Sequence, residues 1–243
     1  MKYILPLTLA SAMVALSACS SDDDSDSSDG GGDAPEETVA ESTPGSFQVS
    51  FTNMTASQLM TPPVVAIHDP SVHLFQIGQQ SSDAVRNIAE TGDNAELVAF
   101  AGANPDVVSA AGVAGDGPFG AGESVTTNLS TEASGQVFSA VNMVICTNDG
   151  ISGVDSIALP EGTEPVTIMA IAYDAGTREN QADAQTFFPP PCKVGDVVEA
   201  PVLDPRAPIA AHEGQSGLIN VPEGANWDFA AGEVVLMIEV TRL

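Results

Sequence analysis

Basic side chains are scarce in this sequence. Six lysines and arginines stand against 33 aspartates and glutamates, a net charge of −27. Without a basic patch nothing neutralises a phosphate backbone, so nucleic acid is excluded as a partner on electrostatic grounds. Adsorption of the folded surface to anionic lipid is disfavoured for the same reason. Histidine is scarce too, with only His68, His73 and His212. His68 and His73 lie five apart across Asp69-Pro70, a turn, and so lack the helical pairing of zinc hydrolases. The glycines from Gly112 to Gly122 lack the lysine and hydroxyl that complete a phosphate loop. Gly214-Gln215-Ser216-Gly217 comes nearest to a serine elbow, but Leu218 stands where the second glycine is required. Carboxylates are plentiful, yet no spacing singles out a pair for glycoside cleavage.

Long apolar runs are missing as well. The longest begins at Tyr3, behind Lys2, and fades near Leu16. That is too short for a membrane span, which needs ~20 apolar residues, and it has the three-part form of a signal peptide. Leu16-Ser17-Ala18-Cys19 resembles the bacterial lipobox, so residues 1–18 are expected to be removed and Cys19 to carry acyl chains. Each buried methylene of such chains contributes about 0.8 kcal/mol to membrane anchorage. Ser20, rather than an aspartate, follows the cysteine and points to the outer membrane over the inner. Only three cysteines are present. With Cys19 lipidated, Cys146 and Cys192 remain. In an exported domain two such residues are expected to pair, against the alternative of two buried thiols.

Residues 19–45 form an acidic tether rich in Ser, Asp and Gly. Like charges and glycines keep such a segment extended, and no apolar residue seeds a core. Its alternating aspartates Asp22, Asp24 and Asp26 lack the later glycine and glutamate of an EF-hand loop. Acidity on this scale has two ordinary uses, solubility in a salty medium and the clustering of oxygen ligands for a divalent cation.

Residues 46–243 are long enough for one domain with its own core. Phe47, Val49 and Phe51 alternate with polar neighbours. Val64–Ile67, Ser124–Leu129, Val137–Ile145 and Glu233–Val240 are further candidate strands. Pro165–Tyr173 is apolar almost throughout, which suits a central strand covered on both faces. Turn signals separate them at Asn148-Asp149-Gly150, Asp174-Ala175-Gly176, Pro189-Pro190-Pro191 and Pro222-Glu223-Gly224. Ser82–Gly102 differs, with apolar residues at helical spacing broken by Gly92, and predicts two short helices. The fold class is all-β, an antiparallel sandwich with one or two inserted helices. No internal repeat is visible.

Several segments are distinctive, taken in their order along the chain. They are Pro62-Pro63-Val64-Val65-Ala66-Ile67-His68-Asp69-Pro70, Leu74-Phe75-Gln76-Ile77-Gly78, Ala89-Glu90-Thr91-Gly92-Asp93-Asn94, Thr147-Asn148-Asp149-Gly150 and Tyr173-Asp174-Ala175-Gly176-Thr177. Together they resemble the spondin N-terminal domain family, whose animal members lie in extracellular-matrix proteins and whose bacterial members are often lipoproteins or secreted. The resemblance implies a C2-like β-sandwich holding one Ca²⁺ through loop carboxylates. It implies Asp149 and Asp174 as ligands. The third carboxylate of the family falls at Arg178, with Glu179 beside it. Either Glu179 supplies the ligand, or the Arg178 guanidinium takes the place of the ion by pairing with both aspartates. His68 is expected as a buried, hydrogen-bonded histidine and Asn148 as a turn residue.

The sequence thus reads as a membrane-anchored, envelope or surface-exposed binding or adhesion module, Ca²⁺-binding and non-enzymatic. Its partner is a matrix component, polysaccharide or protein. The alternatives are an extracellular hydrolase acting on polymer and a purely envelope-structural lipoprotein.

Overall fold

The computed structural model describes residues 44–105, 107–187, 192 and 199–243. The expected signal peptide, Cys19, all but the end of the expected tether, Pro189-Pro190-Pro191 and Lys193 lie outside the described residues.

Nine strands run through the described chain: β1 Gly45–Asn53, β2 Val64–His68, β3 Val108–Val113, β4 Ser124–Thr131, β5 Val137–Met143, β6 Gly150–Ala158, β7 Val166–Asp174, β8 Ala210–Ala211 and β9 Val234–Arg242. All pair antiparallel, in the order β3-β2-β5-β6-β7-β9-β1-β4, with β8 beside β7. The sheet is nearly closed and folds on itself as a sandwich. β7 makes the corner. Its first part, Val166–Ile171, pairs with β9, and its last residues pair with β6 and β8. A register shift at Ala170/Ile171 marks the crossing, the usual means of bending a strand between sheets.

Alternation explains the inner core. Phe47, Val49 and Phe51 of β1 point one way and are almost wholly buried, as a period of two requires. They meet Val65 and Ile67 of β2, Phe138 and Ala140 of β5, and Leu236, Ile238 and Val240 of β9 in one apolar cluster. The strand around Pro165–Tyr173 departs from expectation. It was read as covered on both faces, yet Met169 is 55 % exposed and Val166 is exposed too. Only Ala170 and Ala172, at the crossing between the two sheets, are buried, and the strand end at Tyr173 and Asp174 is half-buried.

Two helices, α1 Asp83–Thr91 and α2 Ala95–Ala103, join β2 to β3. Ser82 caps α1 by accepting from the Val85 N–H at 3.2 Å, satisfying one orphan donor of the first turn. Gly92 ends it in the left-handed region at φ 73°, where a side chain is disfavoured. Val85, Ile88 and Ala89, with Leu97 and Ala101 of α2, cover the outer face of β2 and β5 and build a second core with Val64, Ala66 and Met143. The inserted helices are therefore a third layer of the domain. Among the described residues no helix is long and apolar enough to cross a membrane.

Candidate functional site

The turn between β5 and β6 brings the acidic candidates together. Thr147 Oγ1 donates to the Val144 carbonyl at 2.7 Å and accepts from the Gly150 N–H at 2.8 Å, which fixes the turn. Gly150 pairs with Asp174 in the β6–β7 register. Asp149 therefore sits beside the end of β7, and its carbonyl accepts from the Ala175 N–H. The Asp149 side chain is fully buried. Its Oδ2 accepts three hydrogen bonds, from Thr177 N–H (2.8 Å), Thr177 Oγ1 (3.1 Å) and Arg178 N–H (2.9 Å). Its Oδ1 meets no partner among the described residues. Burial, with the Asp174 charge adding, pushes the Asp149 carboxyl up to about 6, against the pull of those hydrogen bonds. Asp174 is half-buried and accepts from Gly176 N–H and from Asn180 Nδ2, both at 2.7 Å.

The other two candidates part company with this pair. The Glu179 side chain is exposed, while its carbonyl accepts from Asn148 Nδ2 at 2.6 Å. The Arg178 guanidinium does not turn to the aspartates, as one of the two alternatives required. Only its backbone N–H reaches Asp149. The side chain runs the other way, donating to Glu90 Oε2 of α1 at 2.7 Å and to the Ala200 carbonyl at 2.9 Å. Burial raises the Glu90 carboxyl, but hydrogen bonds from Arg178, Thr177 and Arg86 outweigh it and hold the group below the usual range. Arg178 thus ties the loop after β7 to the helical layer. Among the described residues no three His, Cys, Asp or Glu side chains make a metal shell by themselves.

Cys146 and Cys192 are disulfide-bonded, with Cα atoms 5.2 Å apart and a sequence separation of 46. The bond staples the β5–β6 turn to the segment beyond the β7 loop, as expected from an exported pair. His68 is wholly buried, with Nδ1 against the Asp69 carbonyl and Nε2 against Ser139 Oγ at 2.7 Å. Ser139 Oγ also accepts from Ser156 N–H and donates to Asp155. A serine, a histidine and an aspartate are in contact here, but Ser139 is fully buried and its oxygen saturated. No substrate reaches it, so this trio is a structural polar core.

The family model Spondin_N matches residues 45–194, well over half of the chain. The chain belongs to the spondin N-terminal domain family. No curated protein matches it. The match ends inside the segment that holds Cys192 and so covers both turns of the acidic pair and the disulfide. Membership indicates an extracellular module of the binding or adhesion type.

One participant was not singled out by sequence reasoning. Glu90 lay inside a recognised segment, and its helical position facing the sheet was the available signal for a buried acid needing a cation.

Proposed function

We propose that this chain is a lipid-anchored spondin module of the bacterial envelope, held by Cys19 on the outer membrane, that binds a surface or matrix partner, carries out no catalysis, and uses Ca²⁺ to stiffen its loops. The observation that supports the ion is Asp149. A fully buried carboxylate with an unpartnered oxygen, beside a second carboxylate, is a costly arrangement that a divalent cation relieves. Asp149 and Asp174 would hold the ion; Ca²⁺ supplies charge neutralisation and rigidity there. Carbonyls of the two turns and solvent would complete a shell of six to eight oxygens. Glu179 is near enough in sequence to join if its exposed side chain swings inward.

With only two fixed carboxylates the site belongs to the weak, extracellular range of Kd, ~10⁻⁴–10⁻³ M. Calorimetric titration of the protein with CaCl₂ tests it. Saturable heat is expected, with a stabilisation of about 1.4 kcal/mol at tenfold excess over Kd. Asp149→Asn is expected to abolish both. Absence of heat and of any melting shift at millimolar Ca²⁺ removes the ion from the proposal. For the anchor, Cys19→Ser is expected to release the protein from the membrane fraction; unchanged membrane retention would contradict lipidation.

A further inference from the structure

β7 leaves part of one edge open. It meets β6 only through Ala172, Tyr173 and Asp174, opposite Ser152, Ile151 and Gly150. Beyond that point the two strands part. Among the described residues, 153–158 of β6 have only β5 beside them, and 166–170 of β7 have only β9. Two bonds fix the direction of the free groups. The His212 N–H donates to the Ala172 carbonyl on the β8 side, and Ser152 Oγ donates to the Ile171 carbonyl on the β6 side. Successive residues of a strand turn their backbone groups to opposite edges. Thr167 and Met169 therefore present N–H and C=O to the open side, where no strand among the described residues takes them up.

The two open edges are not alike. β6 has a register shift opposite Phe138/Ala140, Ser156 stands at φ 56°, and its N–H is taken by Ser139 Oγ. Such a bulge is one of the ways in which proteins blunt an edge. β7 lacks these devices. From Val166 to Tyr173 it holds no charge and no proline, and 166–170 pair with β9 in unbroken register. Between the parted strands lies an open hollow of about 400 Å³, lined by Phe75 and Ile77, by Val154 and Ile157 of β6, and by Ile168 and Met169 of β7. Ile77 and Met169 are both more than half exposed.

An occupant has two demands to answer at once. Water answers the backbone groups of Thr167 and Met169 but leaves apolar side chains wet. A small apolar molecule fills the hollow and leaves the edge bare. A helix has spent its backbone groups on itself. An extended chain meets both demands, pairing along the edge while alternate side chains enter the hollow. Charge narrows its chemistry. Residues 150–177 include no lysine or arginine, Asp155 lines the hollow, and Glu161 and Glu164 stand exposed between β6 and β7. A second copy of this chain would bring the same acids and its own net charge of −27 against them. We infer that a partner protein adds an extended segment to the open edge of β7 along residues 166–170, apolar at alternate positions and flanked by lysine or arginine. The inference gives a partner class to the binding module proposed above and rests on that reading, but it does not need the ion.

Fluorescence anisotropy with the full-length chain in mild detergent tests it. The probes are fluorescein-labelled Lys-Lys-Val-Thr-Val-Thr-Val-Lys-Lys and the same peptide with Ile or Leu in place of Val. One control carries glutamates for the lysines, and another is N-methylated through its central residues and cannot donate to an edge. At least one lysine peptide is expected to bind saturably, and the N-methylated peptide is expected not to bind. The glutamate peptide should bind ~tenfold or more weakly, as like charges face each other. Met169→Lys places on the edge the charge that natural edges use against pairing, and should weaken binding ~tenfold at an unchanged melting temperature. If Met169→Lys does not fold, Ile77→Ser carries the same test, since that side chain is exposed too. No saturable binding of any lysine peptide, equal binding of either control, or full affinity in a folded variant overturns the inference. So does a dimer in sedimentation that Met169→Lys dissolves, which would make a second copy the occupant. Running each titration with CaCl₂ and with chelator separates the two readings. Calcium heat without peptide binding removes only the strand partner, and peptide binding without calcium heat removes only the ion.

Discussion

Asp149 carries more of the local energetics than any other side chain at the acidic turn. Its carboxyl, ordinarily near 3.8, sits at about 6 in the folded domain because burial and Asp174 disfavour its charge. An acid raised on folding binds its proton more tightly in the native state, so it destabilises the fold once ionised. For the ion-free domain this contribution is absent below the unfolded value, grows from pH 4 to pH 6, and is complete above it. A shift of about two units corresponds to about 3 kcal/mol. Denaturant unfolding in chelator at pH 4.5 and 7.5 is expected to show this part of the pH dependence in the wild type and not in Asp149→Asn. An identical profile in both proteins would refute the assignment. Ca²⁺ needs the ionised carboxylate, so its affinity is expected to fall as pH drops through 6. Arg178 makes a different case. Its side chain pairs with Glu90, both being about nine-tenths buried. Removing one member of a buried pair costs ~3–5 kcal/mol where the other is left uncompensated; Glu90 keeps Arg86, which sets that figure as the upper bound. Arg178→Ala should destabilise by that order in urea unfolding, and the double variant Arg178→Ala/Glu90→Leu should recover much of it. A single variant within about 0.5 kcal/mol of wild type would show the pair to be idle.

At the scale of elements, the β5–β6 pair shows how narrow the backbone tolerances are. Gly153 has φ 154°, and a Cβ there would stand 2.0 Å from the Ala140 carbonyl oxygen of the neighbouring strand. Gly153→Ala is expected to part the two strands locally and to cost ~3 kcal/mol or more, the range of severe backbone and overpacking effects. Amide exchange of β5 and β6 at wild-type rates in that variant would argue against it. β6 was not legible in the sequence, and neither were β3 and β8. Gly150-Ile151-Ser152-Gly153-Val154-Asp155-Ser156 reads as turn material, because what holds it is pairing with β5 and not residue preference. By contrast β1 shows in its alternation, β2, β4, β5 and β9 as candidate runs, and α1 and α2 in their spacing about Gly92. The corner in β7 was invisible, since an apolar run looks the same whether one end or both are covered. At the site, Asp149 and Asp174 were legible from the recognised segments and the disulfide from cysteine count. The direction of the Arg178 side chain was not, for it depends on an acid eighty-eight positions away.

The whole molecule is dominated by charge of one sign. Arg86, Arg178 and Arg206 face carboxylates of the helical layer, and Arg242 lies 5.5 Å over the Phe47 ring and bonds the Pro44 carbonyl. These four arginines are thus engaged within the domain, and acids outnumber bases 33 to 6 over the whole sequence, so like charges repel one another. Screening falls within ~10 Å at 0.1 M salt, so the melting temperature should rise by several degrees between 10 mM and 0.5 M NaCl, as self-repulsion is damped. A melting temperature indifferent to NaCl in differential scanning calorimetry would show that the charges are too far apart to matter. The register of β1 adds a mechanical consequence. Gly45 lies opposite Thr131 and near Arg242, whereas Asn53 lies opposite Leu236, which pairs in turn with Ala170 on the way to Asp174. Traction entering at Gly45 and leaving at the Asp174 end therefore pulls β1 lengthwise between β4 and β9. The rungs on both sides would take such a strain together in shear, the direction in which a paired strand resists being drawn out.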